Sequence, residues 1–216
     1  ITDAGTPGIS DPGEELVRFC YEAGIEVTSL PGPAACITAL TLSGLSTRRF
    51  CFEGFLPTDK KERQIVLDRL KTETRTTVFY EAPHRLLKTL AMLAEAAGED
   101  RRITVCREIT KKHETVFRGT LAEVTAYYEA NEPKGEIVLV LEGISQEILN
   151  EDKQRAWDEM SLEDHMQIYL DQGQSQKDAM KSVAKDRGVS KRDIYQQLKI
   201  CSCDQEESRR QDPDEE

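Results

Sequence analysis

The chain holds 216 residues, 38% of them hydrophobic and 32% charged, enough for one large domain or a medium one with a small appendage. A net charge of −11 excludes a protein coated in basic surface for nucleic acid. No apolar run approaches the length that crosses a bilayer, so a membrane partner is not expected.

Ile1-Thr2-Asp3 reads as the end of a strand whose beginning would lie upstream, so a preceding segment is expected. Asp3 runs into a Gly/Pro turn, Ala4-Gly5-Thr6-Pro7-Gly8, and then into Asp11-Pro12, a good helix start with a capping acid and a first-turn proline. Glycines there let the backbone approach a ligand at the carboxyl end of a strand. No Gly-Lys-Ser/Thr follows, which excludes a phosphate-binding P-loop. Pro31-Gly32-Pro33-Ala34-Ala35 repeats the pattern between a strand and a helix. Two such loops suggest one shared pocket edge.

From there to residue 143 short β-rich runs alternate with amphipathic stretches, which predicts an α/β fold layered around a sheet. The predicted strands are 25–30, 50–53, 76–80, 103–107, 115–118 and 136–142. The predicted helices are 14–23, 34–42, 61–70, 85–97 and 121–130, the first closed by Gly24. The organisation expected is a first α/β portion over 1–45, a second α/β domain over 46–145, an acidic linker over 146–160, a helical module over 161–200 and a disordered acidic tail over 201–216.

In the module, Ser161, Ser175 and Ser190 each precede an Asp by three positions, the spacing of a capping box, and Gly173 and Gly188 punctuate the helices. Helices are expected over about 162–172, 176–187 and 191–199, as a helix-turn-helix-like unit. Ala184, Val189, Ile194 and Leu198 would pack between helices, with Lys185, Arg187, Lys191 and Arg192 outside. Residues 177–192 carry six Lys/Arg against two Asp, so any RNA contact belongs there. A small bundle with a solvated basic face is the competing reading.

Six cysteines are present, and only Cys201 and Cys203 lie close together, with no histidine beside them. Neither they nor His84 and His113 have partners at metal-ligand spacing, so no metal is expected. Reduced thiols and a cytoplasmic location fit this usage.

Asp3-Ala4-Gly5-Thr6-Pro7, Ser10-Asp11-Pro12-Gly13, Pro31-Gly32-Pro33-Ala34, Gly54-Phe55-Leu56-Pro57, Tyr80-Glu81-Ala82-Pro83-His84-Arg85, Arg107-Glu108-Ile109-Thr110-Lys111 and Gly135-Glu136 occur in one order. Together they closely resemble the RsmI-type ribosomal RNA methyltransferases of the tetrapyrrole methylase superfamily, over residues 1–200. The resemblance implies two α/β domains with S-adenosylmethionine in the cleft between them, usually a homodimer, and methylation of the ribose 2′-hydroxyl of a cytidine in small-subunit ribosomal RNA. The family's opening Pro-Thr-Pro-Ile-Gly-Asn loop has no counterpart here, so the first domain is expected to be incomplete.

On the same resemblance, Asp3, Ala4, Gly5, Thr6 and Pro7 would lie along the cofactor. Pro31, Gly32, Pro33 and Ala34 would hold its methionine or ribose portion, Tyr80, Glu81 and Ala82 would contact the adenine side, and Gly135 and Glu136 would line the far wall. Glu81, Glu108 and Glu114 are candidate bases for the hydroxyl proton, and Arg85, Arg107 and Lys111 candidate phosphate ligands, beside the basic terminal module. Two other readings compete: a methyltransferase for a tetrapyrrole or another small molecule, and a helix-turn-helix regulator with an α/β sensor.

Overall fold

Among the described residues, runs rich in β-branched and aromatic residues pair into a five-stranded sheet. The computed structural model describes residues 5–198, so Asp3, Ala4, the Cys201/Cys203 pair and the acidic tail lie outside the described residues. The strands are β1 (Phe50–Phe55), β2 (Thr76–Glu81), β3 (Arg102–Arg107), β4 (Thr115–Thr120) and β5 (Ile137–Leu141), in the order β1-β2-β5-β3-β4. Only β1 and β2 run parallel, while β5 pairs antiparallel with both β2 and β3, and β3 with β4.

Five of the six predicted strands form, but 25–30 has no strand pairing among the described residues. With no strand paired beside it among the described residues, the segment leaves Ile25, Val27 and Leu30 exposed. The helix before it, α1 (Gly13–Glu22), likewise buries no residue. Its end follows the predicted glycine stop: Gly24 takes φ +68° and the Ile25 amide donates to the Cys20 carbonyl.

The period-2 alternation of β2, β3 and β5 divides the core between the two faces of the sheet. On one face Phe79, Ile103, Val105, Ile137, Leu139 and Leu141 pack under α3 (Lys60–Leu70), α4 (Leu86–Ala97) and α5 (Leu121–Ala130). On the other, Val78, Cys106, Val138 and Val140 meet Cys36, Ala39 and Leu40 of α2 (Ala35–Ser43). Residues on both sides of position 45 thus share one hydrophobic cluster. The chain divides instead into two compact units, Ile1–Ser145 and Gln146–Glu216.

In the second unit, the segment read as an acidic linker over 146–160 holds a helix, α6 (Gln146–Glu159). Its polar sequence still shows, since α6 buries no residue. Then come α7 (Leu162–Asp171), α8 (Gln176–Asp186) and a helix over residues 191–198, α9. All three predicted Ser caps form: each hydroxyl accepts the amide of the Asp three positions on. Ala184, Ile194 and Leu198 pack together as expected, but Val189 is 43% exposed, because it belongs to the turn after Gly188 and not to a helix face. No helix among the described residues is long and apolar enough to cross a membrane.

The second unit is built around a buried imidazole. His165 on α7 has a side chain with no exposure and stacks on Trp157 of α6, ring centroids 4.1 Å apart. Its Nδ1 accepts from Arg187 Nε at 3.1 Å, and its Nε2 lies 3.3 Å from Asp186 Oδ2, which also accepts the Tyr169 hydroxyl. Accepting from a guanidinium requires a neutral ring nitrogen. Burial, together with the Arg187 charge, holds the imidazole below its ordinary value, against the upward pull of Asp186. A depressed pKa gives stability that is fully present above about pH 6.5 and is lost as pH falls below it. Trp157 is the chain's one tryptophan, so its fluorescence reports this unit. The urea midpoint read by Trp157 is expected to fall between pH 7 and pH 5, and His165→Gln to flatten that fall. Equal slopes in the two proteins would remove the imidazole from the effect.

Candidate active site

The register of the sheet gathers the sequence motifs on one edge. Phe55 pairs with Tyr80, Glu81 with Ile137, and Arg107 with both Ile137 and Thr115. The carboxyl ends of β1, β2 and β3 therefore open beside the segments that enter β4 and β5, and this is the edge at which open α/β sheets bind small molecules.

The two Gly/Pro loops touch each other. The Thr6 amide and hydroxyl both donate to the Pro33 carbonyl, at 2.9 and 3.1 Å. A Cβ on Gly5 would stand 2.7 Å from the Pro33 oxygen, and one on Gly32 would stand 2.9 Å from Thr6 Oγ1. Gly5 also takes φ +73°, so both the close approach and the backbone there require glycine. Asp11 braces the first loop by accepting the amides of Gly8 and Gly13. Pro7 and Pro31 remain exposed, and Ala34 is the extended residue before α2. The second loop is tied to the sheet by the Cys36 amide, which donates to the Tyr80 hydroxyl at 3.2 Å. Burial, then the contact with Cys36, pushes the Tyr80 phenol up to about 12, so it stays protonated at neutral pH.

The three carboxylates read as bases have unlike surroundings. Glu81 is buried, accepts from the Ala82 amide and the Thr89 hydroxyl, and faces Arg85 Nε at 3.4 Å. Every one of these contacts is internal, so its place is that of an anchor between β2 and α4. Glu108 takes φ +52° and accepts from the Glu136 amide and from Lys111 Nζ. Those two donors, the amide first, hold its carboxyl below the usual range. Gly135 makes room, since a Cβ there would run into the Glu108 carboxyl group. Glu114 is exposed and accepts the Thr110 amide.

The cations of this unit are engaged as well. Arg85 donates to the Leu56 carbonyl, Arg107 to Thr115 Oγ1 and the Lys134 carbonyl, and Lys111 to Glu108 and Glu136. Glu136, then Glu108, hold the Lys111 ammonium above its ordinary value, so it remains a cation compensated by two carboxylates. Arg187, expected outside with Lys185, Lys191 and Arg192, turns inward to His165 and to the Met160 and Ser161 carbonyls. Two carbonyl oxygens and an imidazole nitrogen satisfy its donors there.

Among the described residues no group of three or more His, Cys, Asp or Glu is placed to hold a metal ion. His84 is exposed beside Pro83, Leu87, Glu132 and Pro133, and His113 is exposed. Thr89 is the partner that the sequence reading missed. Its signal was a hydroxyl within the buried stripe Leu86, Thr89, Leu90, Leu93 of α4, eight residues beyond Glu81. Glu81→Ala should cost about 3–5 kcal/mol, the usual result of breaking a buried pair from one side. Glu81→Gln, which keeps an acceptor for Thr89, should cost clearly less. Urea unfolding checks both, and equal midpoints for the two variants would remove the anchor assignment.

Residues 1–125 match the family model described as Tetrapyrrole (Corrin/Porphyrin) Methylases. The chain is 46% identical over 196 residues to the Ribosomal RNA small subunit methyltransferase I of Synechocystis, covering 91% of this chain and 68% of that protein. It is 44% identical over 195 residues to the protein of that name from Bacillus subtilis, covering 90% and 66%, and 50% identical over 145 residues to that of Haemophilus influenzae, covering 66% and 51%. The chain thus spans between half and about two thirds of these relatives. A crystal structure of cobalt precorrin-4 methyltransferase aligns with TM-score 0.50 at 15% identity, over 64% of this chain and 61% of that one, which shows likeness of fold. The family match, the identity to these relatives and the shared fold together make the chain a member of the tetrapyrrole methylase family, in the group of the ribosomal RNA small subunit methyltransferase I proteins.

Proposed function

We propose that this chain serves S-adenosylmethionine-dependent 2′-O-methylation of a cytidine in small-subunit (16S) ribosomal RNA. The observation that carries the reading is the pair of glycine loops, locked together at Thr6 and Pro33 on the carboxyl edge of the sheet, in a chain 46% identical to a ribosomal RNA methyltransferase. The residues fit the cofactor: Gly5 and Gly32 let the two loops close on each other, and the half-buried Tyr80 adds an apolar wall beside the second. Methyltransferases of this family use S-adenosylmethionine, which supplies a methyl group on a sulfonium sulfur. The ribose oxygen would take that methyl group as the sulfur–carbon bond broke, and a carboxylate of the chain would receive the hydroxyl proton.

The chain's own residues hold and orient. The loops 5–8 and 31–34 position the cofactor, and Tyr80 keeps the start of α2 against β2. Of the three candidate bases Glu114 has the exposed carboxylate, while Glu81 is buried and Glu108 is held ionised by its donors. We assign RNA docking to the exposed row Lys177, Lys181 and Lys185, which recurs every four residues along α8, with Lys191 and Arg192 beyond the turn. Four residues of helix rise about 6 Å, a spacing suited to successive phosphates. The reading carries with it a homodimer working in the cytoplasm.

Ribose-methylation mapping in cells lacking the gene tests the acceptor: one cytidine in the small-subunit RNA should lose its 2′-O-methyl group. An unchanged map with altered corrinoids would overturn the RNA reading in favour of a small-molecule acceptor. Gly5→Val, which drives a side chain into the Pro33 carbonyl, should weaken S-adenosylmethionine binding by about tenfold or more, equivalent to about 1.4 kcal/mol, by calorimetry. Replacing Lys177, Lys181 and Lys185 by Gln should lower the salt-dependence slope of RNA binding by about 0.7–0.9 per lost contact. Cofactor binding should be unchanged in that variant, and an unchanged slope would leave α8 a merely solvated face.

A further inference from the structure

The residues of one motif at the sheet edge, Gly54-Phe55-Leu56-Pro57, are used very differently. Leu56 is 1% exposed in the core under α3 and α4, and its carbonyl accepts from Arg85. The Pro57 carbonyl accepts from Arg63. Between these anchored neighbours Phe55 stands 50% exposed. A large apolar ring held out of the core by a well-fixed backbone calls for a reason.

The backbone supplies it. In the pairing of β1 with β2, Phe52 lies opposite Val78 but Gly54 lies opposite Phe79, so Glu53 is an extra residue and the strand bulges. Gly54 takes φ +65° at this point, where an L side chain is disfavoured. Successive strand residues point to opposite faces, so without the bulge Phe55 would face away from Phe52. The extra residue reverses the alternation and returns Phe55 to the face of Phe52 and Tyr80. The rings of Phe52 and Phe55 then meet Tyr80 edge-on, with centroids 4.8 and 5.9 Å away. Bulges of this kind re-aim side chains beside active sites.

Tyr80 is itself fixed by the Cys36 amide at the start of α2, and a Cβ on Gly54 would stand 3.5 Å from Ser10 Oγ of the first loop. The exposed ring therefore sits where both glycine loops meet the carboxyl end of β1. We propose that Phe55 is a stacking platform for a nucleobase, its ring pre-set by Tyr80 so that little freedom is lost when a base settles on it. The inference rests on the proposed function, which brings two bases to this edge: the adenine of the cofactor and the base of the acceptor nucleotide.

Phe55→Trp in the full chain turns the platform into a fluorophore, with Trp157 as a constant background measured on the unsubstituted chain. The probes are S-adenosylhomocysteine, a single-stranded oligoribonucleotide carrying cytidine, and ribose 5-phosphate as a ligand without a base. Stacking should quench the added indole with one of the first two and leave it unchanged with the third. Phe55→Leu, apolar but not planar, should weaken the quenching ligand by about 5- to 100-fold by calorimetry, with the urea midpoint kept. Quenching by S-adenosylhomocysteine identifies the adenine as the stacked base; quenching by the oligonucleotide alone identifies the acceptor. Calorimetric binding when neither ligand quenches, or Phe55→Leu binding the quenching ligand as tightly as the parent, overturns the platform and leaves the proposed function standing. Failure of both ligands to bind the unsubstituted chain overturns both.

Discussion

The first unit depends on one placement, that of β5 in the middle of the sheet. All five of its residues are buried, three against the α3–α5 side and two against the α2 side, and its two edges bond β2 and β3. A strand enclosed on both faces and both edges has no room for a polar residue, which is why Ile137–Leu141 reads as an unbroken run of Ile, Val and Leu. It also means that the local hairpin β3–β4 and the parallel pair β1–β2 are joined only through the last strand of the unit.

That placement sets the geometry of the candidate site. Because β5 runs against its neighbours, the segment entering it, Gly135-Glu136, arrives at the same edge as the carboxyl ends of β1, β2 and β3. Glu108 and Thr110 both sit at positive φ just beyond β3, and the Glu108 amide and carboxylate both bond Glu136. Strained backbone of this kind survives where surrounding contacts over-determine it, and it gathers at functional edges. The charge at this rim is largely neutralised from within. Lys111 answers two carboxylates, and Arg85 and Arg107 spend their donors on carbonyl and side-chain oxygens.

Much of this was legible in the sequence, because alternation, capping and glycine stops are local. The five paired strands, the Ser caps of the second unit and the turns at Gly24, Gly173 and Gly188 depend on residues within a few positions of one another. The misreadings share an opposite cause. Residues 25–30 have a strand's composition, yet pairing needs a neighbour that no local pattern supplies. Arg187 looks like any other cation of a basic run until the fold brings His165 and two carbonyls within its reach. A polar helix such as α6 has the composition of an acidic linker, so acidity alone did not reveal it. The site loops were found from their glycines, but the fate of Glu81 turned on Thr89 and Arg85, and the bulge at Gly54 turned on register with β2.

The cluster beneath α2 has a chemical property of its own. Cys36 on the helix and Cys106 on β3 both lie within it, 5% and 0% exposed, and burial pushes the Cys106 thiol up to about 11. A thiol both shielded and protonated is unreactive. A small alkylating reagent therefore reaches Cys106 only during excursions that lift α2 from the sheet, and the labelling rate in native buffer measures how often this occurs. Since α2 carries the second glycine loop at its start, the same rate times the loosening of the candidate site, and a molecule that bound there and pinned the helix would slow the loss of free thiol.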